Sequence, residues 1–240
     1  MSVFDSLIKD TYNILPKDYR KLKYDNKYKK FVIDKPELIF KDQTSFELGG
    51  ENLNSIAYTL FTEDTNLVND DEILLYGKDL NEIKEDTSFA RIIIVRTKDA
   101  YLHGEQAAYS ILETINLKRY DVNLKGYMIR TSVLSNREQV RVSKEAIKKK
   151  LDFSQVGSMY IDEYKQNKYV EAVKVIFIAT NDCDYNKLDN ISSTSSKVFR
   201  ALNHAISDLK MDCKHCEWQK LCEQIDGMKE LHKKIINEEA

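Results

Sequence analysis

Three features of the 240-residue sequence predict a mixed α/β (α+β) fold. Apolar runs of strand-like and helix-like period alternate only in part, which suits a mixed sheet with flanking helices better than a strict strand–helix–strand series. One run, Ile92-Ile93-Ile94-Val95, shows no polar alternation and reads as a central strand covered on both faces. The chain is also long enough for a substantial core, and its 7 glycines and 2 prolines leave little room for flexible linkers. The expected organisation is an N-terminal helix and connector over 1–44, an α/β domain over 45–210, and a cysteine-rich helical segment over 211–240.

Taken in order, Phe4, Leu7, Ile8, Tyr12 and Leu15 recur at helical spacing and stop at Pro16. A lysine- and tyrosine-rich stretch from Lys17 to Lys30 reads as a solvated connector whose tyrosines lie on the domain, with phosphate binding as the alternative. Strands are expected at Ser45–Leu48, Ser55–Thr62, Glu72–Tyr76, Ala90–Arg96, Val122–Ile129 and Val173–Ala179. Gly49-Gly50 reads as an ordinary turn. The stripe Ala100, Ala107, Ala108, Ile111, Leu112 and Ile115 predicts a helix from Asp99 to Asn116. Ser143 is a good N-cap with Glu145 in the following turn, and Lys148-Lys149-Lys150 then falls in the last turn, where cations are favoured. Further helices are expected over Ser154–Gln166 and Ser195–Leu209.

Composition excludes several classes. Charged residues make up 32% of the chain and hydrophobic ones 42%, with a formal charge of −2, so nothing draws the whole protein to nucleic acid or to an anionic membrane. No apolar run approaches the roughly 18 residues of a membrane span. The N-terminal residues lack the basic and apolar regions of a secretory signal, so a cytoplasmic setting is expected. No glycine-rich phosphate loop is present, and the acidic residues show no pairing that would suggest a hydrolase.

The densest chemical signal is Met211 to Cys222, where Cys213, Cys216 and Cys222 stand at C-x2-C-x5-C spacing. Two residues between thiols let one turn present both sulfurs to one centre, and thiolates select zinc or an iron–sulfur cluster. The fourth ligand would come from Cys183, His215 or His232. Cys183 is preferred because it follows the strand ending near Thr180, in a loop where a strand end delivers a site residue. Buried free thiols, or a disulfide or redox switch, are the alternatives. His103 and His204 read as structural residues within helices.

Several stretches together resemble a known family. Asp70-Asp71-Glu72-Ile73-Leu74-Leu75-Tyr76-Gly77-Lys78-Asp79-Leu80-Asn81-Glu82-Ile83 is similar to the segment that opens the central domain of acetyl-CoA synthase, the synthase subunit of the carbon monoxide dehydrogenase/acetyl-CoA synthase complex. Val140-Arg141-Val142-Ser143-Lys144-Glu145-Ala146 resembles that family's Leu-Arg-Val-Ser-Lys-Asp-Ala. The strand Ala172 to Ile178 follows in the same order. The resemblance covers about 70–180, with weaker echoes from Phe46 onward. It implies an acetyl-CoA-synthase-like central domain that contributes to coenzyme A binding and works in a larger complex. The family's Cys-Gly-Cys nickel chelate has no counterpart here, and the single tryptophan, Trp218, lies inside the cysteine motif.

Those departures lead to an expected accessory, assembly or regulatory protein of one-carbon, corrinoid or acetyl-CoA metabolism, not a complete acetyl-CoA synthase. It would carry an iron–sulfur cluster of the 4Fe-4S type, with zinc as the alternative, on Cys183, Cys213, Cys216 and Cys222, and would act beside a larger protein partner. Alternatives are a redox subunit of a larger enzyme, or a coenzyme A- or protein-binding module with a structural metal. For coenzyme A, the expected contacts are Arg141, Ser143 and Lys144, where a helix N-terminus adds free N–H groups and a positive dipole. In the alternative reading Ser143 only caps and Arg141 only pairs with a carboxylate. Arg130 and Arg137 would either extend the basic face or stand solvated.

Overall fold

A computed structural model of the chain describes residues 2–41, 43–100, 102, 105–132 and 136–206. In chain order the elements are α1 (Ser2–Ile14), β1 (Arg20–Leu22), a 3-10 turn (Asn26–Phe31), β2 (Ser45–Leu48), β3 (Ser55–Thr62), β4 (Glu72–Gly77) and β5 (Phe89–Thr97). There follow α2 (Glu105–Leu117), β6 (Tyr127–Thr131), β7 (Glu138–Ser143), α3 (Lys144–Lys148), α4 (Phe153–Lys165), β8 (Val170–Ala179) and α5 (Tyr185–Ile206). The strands form two sheets: a mixed one in the order β1-β4-β8-β5-β3, and a smaller antiparallel one in the order β2-β7-β6. The mixed α/β expectation holds. Division into two sheets goes beyond it.

The larger sheet is mixed because β8 runs parallel to β4 and antiparallel to β5, while β5 runs parallel to β3. Ile92, Ile93, Ile94 and Val95 are all fully buried, as an unalternating apolar run requires when both faces are covered. On one face α4 supplies Phe153, which stacks on Phe177 with centroids 4.5 Å apart; Phe89 extends the stack from β5. Burying each such ring contributes about 1.5–3 kcal/mol. Gly157 lets α4 come this close, since a Cβ there would lie 2.7 Å from Cγ2 of Ile73. On the other face α1 lays Phe4, Leu7 and Ile8 into the core, and its Thr11 hydroxyl meets the Tyr58 hydroxyl at 3.1 Å.

The tyrosines of the connector do lie on the domain. Tyr24 and Tyr28 both donate to the carboxylate of Asp162 on α4, and Ser158 Oγ accepts the backbone N–H of Asp25 at 2.7 Å. At the opposite side, β3 is a sheet edge whose open carbonyls would otherwise lack partners. Ser195 on α5 donates to the Thr59 carbonyl at 3.2 Å, and the Asn136 carbonyl accepts from Ala57 N–H at 2.8 Å.

Several boundaries move. The strand expected over Val122–Ile129 is β6, which begins only at Tyr127. Gly126, at φ +83°, turns the chain so that Tyr127 N–H reaches the Leu124 carbonyl. The helix expected from Asp99 is described from Glu105, and Asp99 itself has φ +52°. The helix after Ser143 closes at Lys148: Lys149 caps it and Lys150 turns left-handed at φ +69°. Asp152 then N-caps α4 by accepting from Gln155 N–H at 2.9 Å. The final helix starts ten residues earlier than expected, at Tyr185. Among the described residues, no helix is long and apolar enough to cross a membrane.

Candidate anion-binding site

The strand β7 alternates strictly, with Glu138, Val140 and Val142 buried and Gln139, Arg141 and Ser143 partly exposed. Its first residue is clamped to the larger sheet: Ser55 Oγ accepts from Glu138 N–H at 3.0 Å and donates to the Glu138 carbonyl at 2.6 Å. The Glu138 side chain therefore projects into the seam between the sheets. There it meets Arg91, which rises from β5 beside Ala57 and Phe177. Arg91 Nε binds Glu138 Oε1 at 2.6 Å and Nη2 binds Oε2, a two-point pairing with both side chains at most 2% exposed. The guanidinium lies over the Tyr160 ring of α4, 4.8 Å from its centroid. Burial opposes its charge, but Glu138 outweighs burial and holds the pKa well above the ordinary arginine value.

One donor is left over. Nη1 of Arg91 is buried and has no hydrogen-bond partner, although a buried polar group without one costs about 1–3 kcal/mol. Arg91 lines a cavity of about 260 Å³ bounded by β3, the end of α2, the β6–β7 hairpin and α5. Arg119, Arg137 and Arg200 share its wall, so among the described residues four arginines stand against one carboxylate, Glu138. Asn116, Asn136, Ser195 and Ser196 add neutral polar groups. Arg137 is oriented by two bonds of 3.2 Å from Nη2 to the carbonyls of Gly50 and Leu53. Nε of Arg119 is likewise buried and unpartnered. Such a set matches the oxygens of a phosphate or carboxylate.

The residues expected to contact coenzyme A stand elsewhere. Arg141 faces the outer side of β7, with Nε 2.6 Å from Glu47 Oε1 and Nη1 3.0 Å from the Ile39 carbonyl. Ser143 caps α3 by accepting from Glu145 and Ala146 N–H. Lys144 Nζ sits 4.7 Å from the centroid of the Phe46 ring. None of the three lines the arginine cavity, and α3 is only 5 residues long. Of the two arginines expected to extend the basic face, Arg137 does line it, and Arg130 borders an adjoining groove that Arg137 shares.

Cys183 is half buried against the core, and burial together with Asp184 pushes its thiol pKa up to about 11. The 22 residues of α5 carry the chain about 33 Å from that end. Cys213, Cys216, Cys222, His215, His232 and His103 lie outside the described residues, as does the side chain of His204. Among the described residues, no group of three His, Cys, Asp or Glu side chains is placed to hold a metal ion.

Arg91, Arg119 and Arg200 had no place in the sequence reading. A signal for Arg91 existed: it directly precedes the run Ile92–Val95 expected to be buried on both faces, within the same expected strand, and a buried charge needs a partner. For Arg119 and Arg200 the sequence holds no comparable sign.

Comparison with known proteins bears on this arrangement. The model of one family, described as CO dehydrogenase/acetyl-CoA synthase complex beta subunit, matches residues 33–183. No curated protein matches the chain. The matched span runs from before β2 to Cys183 and takes in Arg91, Arg119, Arg137 and Glu138, but not Arg200.

Proposed function

We propose that this chain, which belongs to the CO dehydrogenase/acetyl-CoA synthase complex beta subunit family, is an accessory binding module that holds a phosphate-bearing ligand of the coenzyme A class in the arginine cavity. It works in the cytoplasm beside a larger protein partner, as membership in a family of complex subunits suggests. The observation that carries the reading is the buried, unpartnered Nη1 of Arg91 in a cavity lined by three further arginines. A phosphate oxygen would satisfy that donor, and the cavity's excess positive charge would offset the cost of desolvating the anion.

Calorimetry with coenzyme A and with inorganic pyrophosphate tests the reading. Arg137→Gln should weaken both by about 1–3 kcal/mol, the range for a charge-assisted contact, whereas Arg141→Gln should leave both affinities unchanged. Absence of heat at millimolar ligand would remove this function.

The spacing of Cys213, Cys216 and Cys222 favours an added metal centre. The three thiolates would hold an iron–sulfur cluster, with zinc as the alternative and Cys183, His215 or His232 completing the set. Anaerobic purification and an absorption spectrum separate the two, and Cys213→Ser should abolish metal content. Full metal retention in that variant would refute the assignment.

A further inference from the structure

The segment 32–41 crosses the smaller sheet and is tied to each of its strands in turn. Val32 bridges Leu124, and Glu37 Oε2 accepts the Gly126 N–H at 2.8 Å just before β6 begins. Ile39 N–H reaches Met128 Sδ on β6 at 3.3 Å, and its carbonyl accepts from Arg141 Nη1 on β7 at 3.0 Å. The Phe40 carbonyl accepts from Ser45 Oγ on β2 at 2.9 Å and from Thr44 Oγ1 at 3.2 Å. Ile39 is buried, yet Leu38 and Phe40 on either side of it are 70% and 66% exposed. A single exposed apolar residue is ordinary. Here a backbone fixed to all three strands holds two of them outward.

The surroundings are basic. Lys29, Lys30, Lys35, Lys125 and Arg130 are exposed, and among the described residues none of them is in an ion pair. The Phe31 carbonyl accepts from Lys125 N–H, which sets Lys125 beside the end of the Lys29-Lys30 turn. Arg130 lies two residues beyond Met128, on the same face of β6. The carboxylates of the segment are Asp34 and Glu37, and Glu37 already holds the Gly126 N–H.

We infer that Leu38 and Phe40 anchor a protein-docking surface whose partner offers an apolar pocket rimmed by aspartate and glutamate. This rests on the partner reading above and gives that partner a place and a chemistry. An apolar centre within a charged rim is how protein interfaces are built, and a backbone fixed beforehand loses little freedom on docking. A second copy of this chain fits poorly, because a two-fold contact would set these cations against themselves. An anionic membrane would reach beyond the patch, over a chain whose formal charge is −2 as a whole.

The test places the photo-crosslinker p-benzoylphenylalanine at Phe40 of the full-length protein in its native cells, with the same probe at Tyr19 as control. Light should join a different protein chain at Phe40 and not at Tyr19, through a segment containing aspartate or glutamate. Leu38→Ser should lower the adduct yield about tenfold, the scale of one apolar side chain left unburied. Lys35→Glu with Lys125→Glu should do the same, whereas Lys9→Glu with Lys197→Glu, on α1 and α5, should leave the yield within about twofold. An adduct with another copy of this chain or with lipid, or equal adducts at Phe40 and Tyr19, would overturn the inference. A larger partner that accompanies the protein without any adduct at Phe40 would also overturn it, while the partner reading stood. Failure of any other chain to accompany the unaltered protein would remove the partner reading, and this inference with it.

Discussion

Two arginine–glutamate pairs meet on the same short strand, and they differ in what they leave unused. Toward the core, Glu138 of β7 takes two nitrogens of Arg91 and leaves the third, Nη1, buried beside a cavity. Toward the outside, Arg141 spends Nε on Glu47 and Nη1 on the Ile39 carbonyl, and Lys41 reaches the other Glu47 oxygen at 3.2 Å. The outer pair is a strut that ties the chain around Ile39 and β2 to β7. The inner pair is a strut with a spare donor and room beside it. What separates the two pairs is what their geometry leaves unsatisfied, not their charge.

The largest expected effect would break this comparison outright. Glu138→Gln leaves the Arg91 charge buried without compensation and should cost about 3–5 kcal/mol in denaturant unfolding. Replacing both partners, Arg91→Met with Glu138→Leu, should recover most of that loss while abolishing anion binding. If Glu138→Gln cost no more than Arg141→Gln, the two pairs would be equivalent and the contrast would fail.

Arg141→Gln comes next. It removes one charge-assisted bond and one bond to a carbonyl and should cost about 1–3 kcal/mol.

The smallest effect appears on acidification. Burial raises the Glu47 carboxyl pKa, but Arg141 and Lys41 outweigh burial and hold it below the ordinary value of 4.5. A depressed pKa means that the stabilisation is present above 4.5 and is lost as pH falls through the lower folded-state value. The stability difference between the unaltered protein and Glu47→Gln should therefore be full at neutral pH and shrink below pH 4.5. A difference that did not change with pH would show that the carboxylate charge contributes nothing there.

The sequence carried much of the fold and little of the site, for one physical reason. Hydrophobic period is local, so Ser55–Thr62, the run from Ile92 to Val95 and the helix around Val156-Gly157 were legible from neighbouring residues alone. Strand pairing is not local: nothing in β2, β6 or β7 announces that they leave the main sheet to form their own. The site depends on that separation, since Arg91 and Glu138 come from different sheets and stand 47 positions apart. Capping by Ser143 was legible because its partners are two and three residues away. A carboxylate partner for Arg141 was legible as an alternative, but its identity was not, since Glu47 lies 94 positions off.

The serines that α5 lays along the rim of β3 have a consequence for production and storage of the protein. Every residue of β3 is buried, and Ser195 occupies a carbonyl that a neighbouring strand would otherwise claim. A molecule that has lost α5, through truncation or a folding pause, presents an apolar strand with open carbonyls as a template for another copy. The helix that walls the arginine cavity thus also covers this edge, and shortening the chain at its C-terminal side to improve expression would favour aggregation once the cut enters α5.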